Sequence, residues 1–154
     1  MELKIIPIVQ VAIALILMTL LQHFLPALNY SAAINPTISL TLTILLLCAA
    51  IIIVLLAIYS FKQHQTTVNP TKPETSAKLV DSGIYRYSRN PMYLAMLLGL
   101  AAYACYLENP LAFAICGLFI CYIGKYQITP EERMLTTLFG QEYRAYQERV
   151  RRWL

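Results

Sequence analysis

The chain has 154 residues, of which 58% are hydrophobic and 13% charged, whereas soluble domains carry about 25% charged residues. This composition excludes an ordinary soluble domain and indicates an integral membrane protein. The length also leaves no room for a separate soluble catalytic domain, such as a doubly wound nucleotide-binding sheet. The formal charge of +4 is explained by loops that flank membrane spans, so we expect no nucleic-acid partner.

Four apolar segments approach the roughly 20 residues that cross a bilayer core of about 30 Å. They predict spans over residues 5–28, 38–61, 91–107 and 111–128. The last two segments are joined only by Glu108, Asn109 and Pro110, which predicts a helical hairpin. The predicted fold is therefore a single all-α membrane domain, residues 1–154, with four transmembrane helices and a cytoplasmic amphipathic C-terminal helix.

Basic residues predict the orientation of these spans. Lysines and arginines occur between the second and third spans and again after the fourth, while the other two loops have none. Because positive loops remain on the cytoplasmic side, we expect both termini and the segment before the third span to be cytoplasmic. The expected location is the cell (inner) membrane.

The four cysteines, Cys48, Cys105, Cys116 and Cys121, all lie within predicted spans and lack the paired spacing of metal ligands. We therefore expect small core residues, with no disulfide and no metal site.

A first polar cassette, residues 83–94, directly precedes the third span. Gly83 permits a turn that brings the backbone close to a ligand. Asn90 is a candidate N-cap and Pro91 suits the first helical turn, where free amides could receive a carboxylate. Taken alone, this pattern is equally consistent with a simple helix start.

A second cassette follows the fourth span. Thr129 to Glu132 matches a capping box with proline at its first helical position, which predicts that a new helix begins there. The cap would occupy Glu132 and leave Glu131 as a candidate polar ligand. Gly140 permits a bend before the basic tail, whose Trp153 suits an interfacial anchor.

The two cassettes together resemble the isoprenylcysteine carboxyl methyltransferase family and its bacterial relatives, which are also similar to phospholipid methyltransferases. The matching residues are Gly83, Tyr85, Arg89, Asn90, Pro91 and Tyr93, followed by Glu131, Glu132, Leu135, Phe139, Gly140, Tyr143 and Tyr146. The resemblance covers about half of the chain, residues 77–150, and leaves residues 1–61 as a two-helix scaffold.

The resemblance implies methyl transfer from S-adenosylmethionine to a lipophilic or prenylated acceptor within a helix bundle. It implies no dedicated base, because positioning and the exclusion of water supply most of the rate. The cofactor would be held by residues at the approach to the third helix, at its start and on the second cassette: Ala77, Lys78, Leu79, Val80, Tyr85, Asn90, Pro91, Met92, Tyr93 and Glu131.

Two positions depart from the family pattern. Asn90 replaces the histidine that precedes the proline, which removes a titratable imidazole. Gln127 stands where the eukaryotic enzymes have an arginine, so we expect Gln127 to contact the acceptor without neutralising a carboxylate. The methylated group therefore stays open.

Two alternatives remain at this point. Some sterol reductases share related C-terminal helices and bind a nicotinamide cofactor, although this chain is small for such an enzyme. A non-enzymatic membrane protein could also retain the motifs as helix caps. We expect neither nucleic acid nor an obligate protein partner, and the surrounding lipids are the expected contacts.

Overall fold

The computed structural model describes residues 6–26, 35–63 and 79–154, which are almost entirely helical. The elements in chain order are α1 (Pro7–Phe24), α2 (Pro36–Gln63), a 3₁₀ turn (Gly83–Arg86), α3 (Pro91–Leu107), α4 (Pro110–Ile123), a π turn (Gly124–Ile128), α5 (Thr129–Phe139) and α6 (Gln141–Arg149).

All four predicted apolar segments are helical where the structure describes them. Within the described ranges, three helices are long and apolar enough to cross a membrane, namely α1, α2 and the continuous helix Pro110–Phe139. The third predicted segment is α3, whose 17 residues extend about 25 Å at 1.5 Å per residue. That α3 crosses the membrane stays a prediction.

The core lies where α3 meets α1, α2 and α4. Met18 of α1 and Leu100 of α3 are at most 1% exposed, and they belong to one cluster with Ala112 and Phe119 of α4. On α2 the buried residues are all small: Ser39, Ala50, Ala57 and Ser60. Small side chains let two helix backbones approach closely, which explains how α2 packs along α3.

The predicted hairpin between α3 and α4 is confirmed. Glu108 ends α3 with φ of 54°, in the left-handed region. The fully buried Asn109 then accepts a hydrogen bond from the Leu111 amide at 3.0 Å and donates to Gln22 of α1 at 3.3 Å. This single side chain therefore caps α4 and joins the hairpin to α1.

The cysteine prediction is correct for two of the four residues. Cys105 and Cys116 are buried, but Cys48 and Cys121 are exposed on the helix surfaces, and all four are free thiols. An apolar segment alone does not show which of its faces meets lipid.

α5 does begin at Thr129, but the capping box predicted for this helix start is wrong. The chain passes from α4 into α5 without a break, and neither Thr129 nor Glu132 caps a helix. The π turn Gly124–Ile128 lies between α4 and α5, and the Thr129 hydroxyl that follows it donates to the Gly124 carbonyl at 2.8 Å. A proline ring clashes with the carbonyl four residues before it in a regular helix, so the wide turn accommodates Pro130 inside a continuous helix.

The bend at Gly140 is confirmed, since Gly140 has φ of 55° and separates α5 from α6. The turn folds α6 back so that Tyr143, Tyr146 and Val150 form a buried cluster with Leu135 and Phe139 of α5 and with Leu79. The second cassette is therefore a folded unit that contacts the chain just before the first cassette.

Candidate active site

Glu131 lies where the two cassettes meet. Its Oε1 atom accepts a hydrogen bond from the Tyr93 hydroxyl at 2.6 Å and another from the Gln127 side-chain amide at 2.5 Å. Tyr93 lies in the first turn of α3 and Gln127 lies in the π turn, so two separate elements position one carboxylate. Within the described part of the chain, the second oxygen, Oε2, has no hydrogen-bond donor.

Tyr85 lies beside this centre, on the buried side of the 3₁₀ turn. Its ring meets Phe61 of α2 edge to face at 5.3 Å between centroids, and it clusters with Val80 and the half-buried Met92. Its backbone carbonyl accepts a hydrogen bond from the Tyr146 hydroxyl at 2.7 Å. Tyr85 therefore connects α2, the first cassette and α6.

Glu132 has a different environment from its neighbour. Its carboxylate forms ion pairs with Arg89 at 3.0 Å and with Arg152, whose Nε also donates to it at 3.1 Å. The Arg89 and Glu132 side chains are only 11% and 12% exposed. Glu132 thus bridges two arginines instead of capping a helix.

The two adjacent carboxylates therefore differ in charge balance. Two guanidinium groups compensate Glu132, whereas the hydrogen bonds to Glu131 come from a phenol and an amide, which are neutral donors. A carboxylate without a cationic partner is suited to a ligand that brings a positive charge or hydroxyl donors.

Asn90 occupies the N-cap position of α3, as predicted, but its side chain forms no capping hydrogen bond. Its side-chain amide instead donates to the carbonyl of Arg152 at 2.9 Å, and the Arg89 amide donates to the carbonyl of Arg151 at 3.0 Å. Pro91 does lie in the first turn of α3, as predicted, and it is buried. The C-terminal tail therefore lies across the start of α3.

The tail is also not a free interfacial anchor. Trp153 is half-buried and packs against the core cluster, while Leu154 is 68% exposed. The sequence around Trp153 and Leu154 does not show whether these side chains pack against the bundle or insert into lipid.

The predicted site residues that the structure describes are distributed over four places. Tyr93 and Gln127 both donate hydrogen bonds to Glu131, and Val80, Tyr85 and Met92 form the adjoining cluster. Leu79 packs against the Tyr143 cluster, and Asn90 and Pro91 lie under the tail. Ala77 and Lys78 lie outside the described residues.

Arg89, Glu132, Tyr146 and Arg152 are the residues whose structural roles the sequence did not predict. The tyrosines offered one available signal, because Tyr143 and Tyr146 are three apart on an otherwise polar helix and share its single apolar face. The ion pairs gave no such signal, because arginines are abundant in this part of the chain.

Burial keeps the phenols around the site neutral. It raises the pKa of the Tyr143 side chain to about 12, and it raises the pKa of Tyr85 and of Tyr146 above the ordinary value as well. These hydroxyls are therefore protonated at neutral pH and act as hydrogen-bond donors.

The sequence was compared with known proteins. The profile of the phospholipid methyltransferase family matches residues 38–142, which is more than half of the chain and includes the first cassette and the second as far as Glu142. No solved structure matches.

Three relatives illustrate the range of similar proteins. An uncharacterized protein of Haemophilus influenzae is 48% identical over 63 residues, 41% of this chain and the whole of that protein. Methanethiol S-methyltransferase 1 of Bradyrhizobium diazoefficiens is 33% identical over 91 residues, 58% of this chain. Protein-S-isoprenylcysteine O-methyltransferase of Saccharomyces cerevisiae is 35% identical over 83 residues, 52% of this chain.

The matches cover 31% of the Bradyrhizobium protein and 34% of the yeast protein. The chain thus spans about a third of the length of these two relatives. The family match covers more of this chain than either relative does, because it extends from α2 through the first cassette and α5 to the start of α6. The chain belongs to the phospholipid methyltransferase family of membrane proteins.

Proposed function

We propose that this protein transfers a methyl group from S-adenosylmethionine to a lipophilic acceptor that reaches the site from the membrane. The observation that carries the proposal is the Glu131 carboxylate, which is held by Tyr93 and Gln127 through one oxygen only. Membership of the phospholipid methyltransferase family supports the same reaction class.

The donor set at the site fits S-adenosylmethionine. Glu131 has one oxygen for the ribose hydroxyls or the ammonium group, and its charge would favour a nearby sulfonium. The rings of Tyr85 and Tyr93 are buried close to this carboxylate and could contact a cation. The first amides of α3, at Met92 and Tyr93, could receive the methionyl carboxylate.

When bound, S-adenosylmethionine would supply an electrophilic methyl group. The residues of the chain would align the acceptor with that group and exclude water, and in-line positioning of this kind can lower a barrier by about 7–11 kcal/mol. The neutral phenols around the site make no general base at neutral pH, which agrees with a mechanism based on positioning. Tyr93 and Gln127 would fix the orientation of Glu131, and the cluster of Val80, Tyr85 and Met92 would form an apolar wall.

Gln127 bears on the identity of the acceptor. Gln127 is 3% exposed, and its side chain donates to Glu131. Because this side chain is a neutral amide, it has no charge that could neutralise an acceptor carboxylate. One relative is named for methanethiol and another for isoprenylcysteine. We therefore propose a small lipophilic acceptor, with an apolar thiol and a prenylated cysteine as the two compounds to compare.

The basic residues support a location in the cell membrane with the site and both termini on the cytoplasmic side. The lateral route from the membrane is supported by the many large apolar side chains exposed along α1, α2 and α4. The proposal requires no protein partner.

Purified protein in detergent, titrated by calorimetry with S-adenosylmethionine and with NADPH, tests the proposal. We expect binding of S-adenosylmethionine, and we expect Glu131→Gln to weaken it by about 1.5–3 kcal/mol because a charge-assisted hydrogen bond is lost. The substitution keeps an oxygen that can accept from Tyr93. Glu142→Gln, which removes an exposed carboxylate on α6, is the matched control and should leave binding unchanged.

Two outcomes would contradict the proposal. Binding of NADPH without S-adenosylmethionine would support the reductase alternative. Binding of neither compound would support a non-enzymatic membrane protein.

A further inference from the structure

The last residues of the chain form a C-terminal strap, defined here as residues 150–153, that lies across the start of α3. Two successive carbonyls of the strap accept hydrogen bonds from two successive residues of the first cassette. The Arg89 amide donates to Arg151 at 3.0 Å and the Asn90 side chain donates to Arg152 at 2.9 Å. These contacts join segments that are about 60 residues apart in sequence.

The side chains at both ends of the strap pack against the rest of the protein. Val150 is 8% exposed and packs in the cluster of Tyr143 and Tyr146. Trp153 packs against the bundle core. Between them, Arg152 pairs with Glu132, which also pairs with Arg89. The strap therefore contacts α5 and the start of α3 at the same point.

The residues that the strap contacts are close in sequence to both partners of the Tyr93–Glu131 hydrogen bond. Glu131 is the neighbour of Glu132 on α5, and Tyr93 lies one helical turn beyond Asn90 on α3. A contact that holds Arg89, Asn90 and Glu132 together therefore sets the distance between the two helices that carry Tyr93 and Glu131.

An anchor in the lipid interface is the simpler interpretation of a basic tail that ends in tryptophan. The contacts of the strap argue against it, because the backbone carbonyls of Arg151 and Arg152 are directed to the cassette. The Trp153 ring lies on the core cluster instead of being fully exposed.

We propose that the strap is a positioning element, in which Arg152 holds the start of α3 against α5 and so keeps Tyr93 on Glu131. The role of this site in binding S-adenosylmethionine rests on the function proposed above. The strap contacts themselves do not depend on that function.

Arg152→Ala tests the strap with two readouts that need no ligand. Trp153 is the single tryptophan of the chain, so its fluorescence reports the strap alone. We expect its emission to shift to the red in the variant, because the ring loses its contact with the core. We also expect faster hydrogen exchange in peptides that cover residues 83–94, because the Arg89 amide loses its acceptor.

A third readout connects the strap to the site. In Arg152→Ala, methyl transfer should fall by about 10- to 100-fold, the effect expected when reacting groups are misplaced by about 1 Å. Arg152→Lys, which keeps a cation for Glu132, should recover part of the fluorescence and of the rate. Arg144→Ala removes a cation from the exposed face of α6 and should change none of the readouts.

The outcomes separate the two proposals. Unchanged fluorescence and exchange in Arg152→Ala would show that Arg152 does not hold the strap. Changed fluorescence and exchange with a full methylation rate would show that the strap does not position the site. If the unsubstituted protein fails to bind S-adenosylmethionine, the proposed function is wrong, and the exchange of residues 83–94 still decides whether the strap holds the cassette.

Discussion

α2 and α3 are both apolar helices, yet they use their side chains in opposite ways. α2 buries only four small residues, and large ones such as Leu45 and Leu55 are each 61% exposed. α3 is shorter but buries eight residues, among them Tyr93, Leu94 and Leu100. α2 therefore leaves most of its large apolar side chains exposed, whereas α3 forms the centre of the bundle and carries Tyr93 of the candidate site.

The difference between α2 and α3 follows from the surroundings of a membrane helix, which are lipid instead of water. A large apolar side chain exposed to lipid carries no penalty, because lipid chains are as apolar as leucine itself. A buried polar group must find partners, because leaving it unpaired costs about 1–3 kcal/mol. Polar contacts therefore concentrate where α3 meets the C-terminal part of the chain, and α2 needs few of them.

The largest expected effect is the loss of stability when a buried leucine of α3 is truncated, compared with an exposed leucine of α2. Leu100 is 1% exposed, and Leu100→Ala should lower the free energy of unfolding by about 2–3 kcal/mol, because a cavity removes its dispersion contacts. Leu55→Ala on α2 is the matched control and should cost less than about 0.5 kcal/mol. Unfolding by SDS in mixed micelles measures both, and equal losses would contradict the comparison.

Gly83 tests the contact between the first cassette and α2. Its φ is +60°, and a Cβ at this position would clash with the Ser60 hydroxyl. Gly83→Ala should cost about 1–2 kcal/mol from the left-handed backbone alone, in addition to the clash. In the double variant Gly83→Ala with Ser60→Ala, the same measurement should show that only the part of the lost stability caused by the clash is regained. The cost of the left-handed backbone should remain. Gly117→Ala, where a Cβ has open space, is the control, and a loss there as large as in Gly83→Ala would refute this explanation.

The smallest expected effect concerns a single hydroxyl. Tyr146→Phe removes the donor to the buried Tyr85 carbonyl, which should cost about 1 kcal/mol in the free energy of unfolding. The Tyr87 side chain is 70% exposed, so Tyr87→Phe should cost nothing measurable. If the two substitutions had the same effect on thermal stability in detergent, α6 would not be held to the cassette by this bond.

Much of the fold was predictable from the sequence because it depends on local properties. Runs of apolar residues predicted the four helical segments, and Glu108–Pro110 predicted the turn between α3 and α4. The family motif also brought attention to Tyr93 and Glu131, which the structure joins at 2.6 Å. The cofactor role of these residues remains a prediction, as does the acceptor role of Gln127.

The errors arose where a local pattern has a nonlocal competitor. Thr129 to Glu132 has the spacing of a capping box, but the preceding π turn already supplies carbonyl acceptors for the first amides of α5, so no side-chain cap forms. Glu132 is then available to pair with Arg89 and Arg152. Asn90 does stand at the N-cap position of α3, but its side chain forms no cap, and its amide donates to the tail carbonyl of Arg152 instead.

By itself, the sequence was sufficient for the helical segments, the membrane class and the family motifs, because hydrophobic length and residue spacing act within a few turns of one helix. Only the tertiary structure decided which of two adjacent glutamates keeps an open oxygen, which apolar faces meet lipid and where the tail lies. Those outcomes depend on contacts between distant residues, such as Tyr93 with Glu131, 38 positions apart, and Asn90 with Arg152, 62 positions apart. The energies of such contacts are set by burial and by the available partners rather than by neighbouring residues.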